Sequence, residues 1–296
     1  MDKSKKILLF GGSGQLGSQM CRLWSDLHVT APSRSEIDVE DRAAVERAVA
    51  AADPDVVINC TAYNDVVRAE SEPERAFAVN AFAVDSLSRI CAGRDCTFVT
   101  FSTDYVFDGT QRRPYVEGDA PNPATGYGIS KLAGELLTLR RASPAFVIRT
   151  CGVYGTRVSS SKGYTFIDRI IAQAKAGEPV RIVDDQVVSP TYAGDLAVAV
   201  RALLEANPEP GIYHAVNEGA VSWYEFACET LRQAGIEAAV TRISSREFGS
   251  AVRRPAYSAL ENAKLNAIGL SLPDWRSGIA AYLRDRREIE KGASRP

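Results

Sequence analysis

Lys6-Ile7-Leu8-Leu9-Phe10-Gly11-Gly12-Ser13-Gly14-Gln15-Leu16-Gly17 decides the fold. An apolar run ends in a glycine cluster, and a helical pattern begins at once. Leu16, Met20, Leu23, Trp24 and Leu27 recur at spacings of three and four, so they line one helix face. Strand, glycine turn and helix form the context in which such a cluster means dinucleotide binding. Glycines let the backbone turn tightly and approach a pyrophosphate, which the amides and dipole of the helix N-terminus then hold. The spacing Gly11-x-x-Gly14-x-x-Gly17 is one residue longer in its first gap than G-x-G-x-x-G. A plain glycine-rich turn is the alternative, and the position at the head of an α/β chain favours the dinucleotide.

Outward from this stretch the chain alternates. His28-Val29-Thr30-Ala31-Pro32 reads as a second strand, and Asp41 caps a helix with Val45, Ala48 and Val49 inward. Asp55 to Cys60 and Thr97 to Phe101 are apolar runs of the kind buried on both faces of a parallel sheet. Pro73 opens a helix running through Phe77, Asn80, Val84, Leu87 and Cys91; Gly126 to about Arg141 is another helix, and Ala145 to Thr150 a further strand. This alternation predicts an α/β fold, a Rossmann-type doubly wound parallel sheet with a smaller C-terminal substrate-binding lobe. Residues 1–150 form the NAD(P)-binding part, with returns at about 164–177 and 190–217. Residues 151–163, 178–189 and 218–296 form the lobe, frayed after about Glu288.

Composition excludes several classes. Lys and Arg number 35 against 37 Asp and Glu, and the net charge is −2, with no basic stripe for nucleic acid and no apolar run for a membrane. The six cysteines contain no CxxC pair, and no signal peptide precedes them. They read as reduced thiols in a cytoplasmic protein. Two distant histidines, His28 and His214, do not suggest a metal site.

Tyr127 and Lys131 lie four residues apart on a helix, so they share a face. A phenol is a poor proton shuttle at neutral pH; an ammonium beside it stabilises the phenolate and pulls its pKa down. Such a tyrosine gives a proton to a developing alkoxide. Chance surface pairs of this spacing are common, and the preceding dinucleotide motif is what gives this one meaning. Thr103, at the end of a strand, is placed to polarise a carbonyl oxygen. Asp104 is either a sugar ligand and tuner of the tyrosine or a turn cap. Tyr105 and Phe107 are either pocket wall or core. Ser33 and Arg34, at the end of the second strand, suit a ribose 2′-phosphate and so favour NADPH, with NADH also admitted.

The glycine motif, Ser102-Thr103-Asp104-Tyr105-Val106-Phe107-Asp108-Gly109 and Tyr127-Gly128-x-Ser130-Lys131 resemble the extended short-chain dehydrogenase/reductases. Within them the chain resembles the dTDP-4-dehydrorhamnose reductase family. Asp184-Asp185-Gln186, Ser189-Pro190-Thr191, Arg253-Arg254-Pro255 with Ser258, and Leu272-Pro273-Asp274-Trp275 carry the likeness through the C-terminal half. The resemblance implies reduction of dTDP-4-dehydro-L-rhamnose with NAD(P)H. Thr103, Tyr127 and Lys131 would be catalytic, with Asp104 assisting. Gly11, Ser13, Gly14, Gln15, Leu16 and Gly17 would hold the pyrophosphate, and Asp38 and Val39 would contact adenine. Cys60, Thr61, Ala62, Tyr63 and Asn80 would line the cofactor, and Arg253 would receive the nucleotide-sugar. The family often has Ser-Trp-Val-Tyr where this chain has Cys151-Gly152-Val153-Tyr154. Some members use a glutamate after the glycine motif for a magnesium-linked dimer; Gly17-Ser18-Gln19-Met20 stands here, so no metal is predicted, while a homodimer remains compatible. Two other readings share the fold: a nucleotide-sugar epimerase or dehydratase, and a non-catalytic regulatory subunit resembling the β subunit of methionine adenosyltransferase. Thr103-Asp104-Tyr105 lacks the glutamate of the dehydratases.

Overall fold

The computed structural model describes residues 4–141, 144–157 and 164–293. The stretch 158–163 of the expected lobe lies outside the described residues. Strands β1 (Lys6–Phe10), β2 (His28–Thr30), β3 (Val56–Asn59), β4 (Thr97–Thr103) and β5 (Ala145–Thr150) belong to one parallel sheet. Its order is β2-β1-β3-β4-β5, closed by the late strand Gly211–His214. Period-two alternation assigns its residues to two cores. Ile7 and Leu9 face Met20 and Trp24 on one side; Leu8 and Phe10 face Val45, Val49, Val84 and Leu87 on the other. All six residues of β5 are buried, as a strand covered on both faces requires.

Helices α1 (Gln15–Leu23), α2 (Arg42–Ala52), α3 (Arg68–Ser71) and α4 (Pro73–Phe77) follow in order. Asp41 caps α2 as expected, accepting from the Ala44 amide at 3.0 Å. The helix expected from Pro73 is not continuous. A π-helical turn at Ala78–Phe82 separates α4 from α5 (Ala83–Ala92), and it carries Asn80 inward. Helix α6 (Gly126–Leu139) seats on this turn. A Cβ on Gly134 would lie 2.2 Å from the Asn80 carbonyl, so only glycine lets the two backbones approach.

The rest of the chain divides its packing. Helix α7 (Phe166–Lys175) and strands β6 (Val180–Val183) and β7 (Val187–Val188) come first. They are followed by α8 (Ala193–Ala206), β8 (Gly211–His214), β9 (Val221–Ser222) and α9 (Trp223–Ala234). Helix α8 and β8 return to the main sheet; Leu196, Val200, Leu203 and Tyr213 share the core of Met20 and Trp24. Helix α7 does not join them, against the expectation for 164–177. Its Ile167 packs with Phe226, Trp275 and Tyr282, and its Ile170 with Val180, Ala227 and Leu231. Strand β10 (Val240–Ile243) pairs with β6, and β7 pairs with β9, in two small separate sheets. Helices α10 (Ser245–Phe248), α11 (Ala263–Ala267) and α12 (Trp275–Ala293) complete the chain. Helix α12 continues through the stretch expected to fray after Glu288. Among the described residues, no helix is long and apolar enough to cross a membrane.

Candidate active site

From β1 the sheet grows first to β2 on one side and then to β3 on the other, all parallel, and this switch point opens a crevice at the strands' C-terminal ends. Gly11 turns there with φ +85°, and a Cβ on it would lie 2.9 Å from the Cys60 carbonyl carbon. A Cβ on Gly17 would lie 2.3 Å from the Gly11 oxygen. The turn therefore folds against both its own helix and the chain leaving β3. Ser13 and Gly14 stay exposed at its apex. Helix α1 begins without a side-chain cap and without an acidic residue in its first turn. Its free amides and dipole fit a pyrophosphate, so the site accepts the dinucleotide on geometric grounds.

The walls differ in detail from the expectation. Gln15 begins α1 beside Gly155, while Leu16 packs on the core and Cys60 touches Met20, sulfur to sulfur, at 3.8 Å. The Thr61 hydroxyl donates to Asn59 at 2.6 Å, and the Tyr63 phenol to Glu72 at 2.8 Å; Ala62 between them is exposed. Asn80 was expected to line the cofactor. It is instead buried, accepting from the Tyr63 amide at 2.9 Å and donating to Ser130 at 3.0 Å, so it ties the loop after β3 to α6. Val39 sends its side chain into the core of Val45 and Val49 rather than toward an adenine. At the second strand's end the Ser33 hydroxyl donates to Glu36 at 2.8 Å, and Arg34, exposed, lies 3.5 Å from Asp38.

At the end of β4 the catalytic candidates meet. Gly128 lets α6 close on the turn after β4; a Cβ there would lie 2.2 Å from the Tyr105 carbonyl. Thr103 donates its proton to Asp104 at 3.0 Å and lies near enough to Tyr127 to act on its phenol. Ser258 donates to the other Asp104 oxygen at 2.6 Å. Asp104 is thus buried with its oxygens engaged, and it orients Thr103 rather than facing a sugar. Burial raises its pKa, outweighing these hydrogen bonds.

Lys131 does not draw the Tyr127 phenol down, against the expectation from their spacing. Burial pushes Tyr127 up to about 12, partly offset by the Thr103 hydroxyl, and Lys131 is not among the groups acting on it. Burial also lowers the Lys131 ammonium to about 8, with Glu135 pulling it back up. Desolvation outweighs the attraction between neighbouring turns. The phenol remains protonated at neutral pH, the state required of an acid in a reduction.

Phe107 is not pocket wall. It is fully buried and stacked on Tyr115 at 4.2 Å. Tyr105 does stand beside the phenol, edge-on to Tyr127 at 5.7 Å. Arg253, the expected substrate arginine, is exposed. Its neighbour Arg254 is the one that comes near Tyr105, and its buried Nε has no partner among the described residues. The two arginines open the segment 253–258, in which Arg253 is exposed and Arg254 half-buried. That segment lies on the 104–109 turn because Gly109, at φ +74°, leaves room for Pro255; a Cβ there would lie 2.4 Å from the Pro255 Cβ. The doubled arginine before a proline signalled the segment, and the facing residue depended on the fold.

The fold, the glycine cradle and the Tyr-Lys helix together define an NAD(P)-dependent oxidoreductase of the short-chain dehydrogenase/reductase type. A profile of the RmlD substrate binding domain matches residues 5–288, and the chain belongs to that family. It is 38% identical over 291 residues to dTDP-4-dehydrorhamnose reductase of Mycobacterium tuberculosis, covering 95% of this chain and 93% of the relative. It is 35% identical to the spore coat polysaccharide biosynthesis protein SpsK of Bacillus subtilis, covering 95% and 98%. The crystal structure of Bacillus anthracis dTDP-4-dehydrorhamnose reductase with NADP superposes with a TM-score of 0.90 at 30% identity, over 95% of this chain and 99% of that one.

Proposed function

We propose that the protein reduces the 4-keto group of a dTDP-linked 6-deoxy-4-keto hexose, dTDP-4-dehydro-L-rhamnose, to dTDP-L-rhamnose. The observation that carries the reading is the packing of the Tyr127–Lys131 face of α6 against the turn after β4, where Thr103 lies, with the phenol kept protonated by burial. The likeness to dTDP-4-dehydrorhamnose reductases along nearly the whole chain supports the substrate class. NAD(P)H held in the glycine cradle supplies the hydride. Tyr127 gives its proton to the carbonyl oxygen as negative charge develops there. Thr103, anchored by Asp104, holds the phenol's direction. Lys131, charged below about pH 8, stabilises that oxygen through its field and holds the nicotinamide ribose. Arg254 takes the substrate's diphosphate, the anion its unpaired Nε suits. We read residues 1–150 with α8 and β8 as the cofactor part, and the elements around α7, α9 and α12 as a lobe closing over the sugar. The reaction is assigned to the cytoplasm, where reduced thiols persist; all six cysteines are free.

The direct test is NADPH oxidation by the purified protein with dTDP-4-dehydro-L-rhamnose, followed by product analysis. Turnover yielding dTDP-L-rhamnose is expected. No oxidation with any 4-keto-6-deoxy sugar nucleotide overturns the reading and advances the regulatory-subunit alternative. Arg254→Ala should raise KM for the sugar nucleotide about tenfold or more, the worth of a charge-assisted hydrogen bond, and leave KM for NADPH unchanged. Equal effects on both constants would remove Arg254 from the diphosphate.

The cofactor preference is NADPH, because Arg34 is exposed and can turn from its surface partners Asp38 and Glu40 to meet a 2′-phosphate. Glu36 and Asp38 beside it keep NADH competitive. Arg34→Ala is expected to raise KM for NADPH several-fold while KM for NADH stays within twofold, by roughly the energy of one exposed charged contact. Steady-state titration of both cofactors decides it, and a parallel rise in both constants would show that Arg34 does not meet the phosphate.

A further inference from the structure

Glu135 and Arg149 form an ion pair that the chemistry described so far leaves unused. Each is 2% exposed, and the contact is bidentate: Nε to Oε1 at 2.9 Å and Nη2 to Oε2 at 2.7 Å. Glu135 lies on α6 one turn beyond Lys131 and two beyond Tyr127, on the same face. Arg149 comes from β5, and its guanidinium lies 5.1 Å above the Phe107 ring. The pair therefore joins this helix to the sheet one turn beyond the lysine.

We propose that the Glu135–Arg149 pair is a positioning device for Lys131, seating its helix on β5 and supplying balanced charges beside the ammonium. The proposal rests on the reading of Lys131 as an active-site group. The titratable groups on α6, on the turn after β4 and on β5, which pack together, are Tyr127 and Glu135, Asp104 and Tyr105, and Arg149. The charges on the other packed elements are Arg68 and Glu70 on α3, Glu74 and Arg75 on α4, and Asp85 and Arg89 on α5. Of all these, Glu135 is the one that acts on Lys131. His214, the cross-strand neighbour of Arg149, is held neutral, its pKa lowered to about 3 by burial and by Arg149. Glu135 and Arg149 are thus a buried pair of opposite charge next to a buried cation, and deleting either member leaves the other unbalanced.

The test exploits sign. Glu135→Gln keeps the shape and leaves Arg149 unbalanced, so Lys131 loses its proton at lower pH, by about one unit. Arg149→Met leaves Glu135 unbalanced and moves the lysine the other way. The double variant returns toward wild type. The reading is taken on free protein with 13C-labelled lysine, following the side-chain resonance that disappears in Lys131→Arg. It needs no substrate, so it stands even where the proposed reductase activity fails. The alkaline limb of turnover, where turnover is measured, should move with the same signs. A merely structural pair would weaken both single variants without opposite titration shifts. Singles that move Lys131 in the same direction, or leave it at the wild-type position, overturn the proposal. If Arg149→Met does not fold, the direction of the Glu135→Gln shift alone decides.

Discussion

Tyr127→Phe is expected to reduce turnover by about 10²- to 10⁴-fold, the usual range for loss of a general acid. The substitution removes one oxygen and nothing else. The ring keeps its edge contact with Tyr105, and Thr103 keeps its bond to Asp104. Binding of NADPH, followed by fluorescence, should therefore be unchanged within about twofold, the loss falling on kcat. The wild-type phenol is protonated up to about pH 12, so its ionisation should not limit the reaction near neutrality. A folded Phe variant with near wild-type turnover would mean another group supplies the proton.

Lys131→Ala is expected to cost at least about 10²-fold in turnover and to raise KM for NADPH as well. The two effects belong to the two roles proposed for one ammonium. Its pKa is lowered to about 8, so the charge is present below that pH and lost above it. Wild-type turnover should accordingly decline as pH rises through about 8, and the Ala variant should lack that limb. A pH profile at saturating cofactor separates the roles. A variant that keeps the same alkaline limb would assign it to another group. Unchanged affinity for NADPH would remove Lys131 from the ribose.

Much of the site was legible because it is local. The glycine turn follows from chain geometry within a few residues. Tyr127 and Lys131 share a face by helical period alone. The limits of β5 also agree with the sequence reading, since a buried apolar run marks them directly. The π-turn at Ala78–Phe82 was not legible. One extra residue in a helical turn leaves the apolar period almost unchanged, and its cause is Asn80 reaching Tyr63 and Ser130. Strands β7, β9 and β10 were missed because such short extended pieces are defined by partners distant in sequence.

Sequence by itself determined the parallel sheet, the glycine turn after its first strand and the shared helix face of Tyr127 and Lys131. Each depends on residues that are neighbours along one strand, turn or helix. Tertiary structure alone decided which of two adjacent arginines meets the site, that Phe107 is core, that Asp104 orients Thr103, and that α7 leaves the sheet. It also decided the direction of the phenol's pKa. Helical spacing brings a cation near the tyrosine, but desolvation depends on what else packs there, and here burial outweighs the charge. Facing, burial and charge balance are properties of the assembled molecule, because they depend on segments as far apart in the chain as Thr103, Arg149 and Ser258.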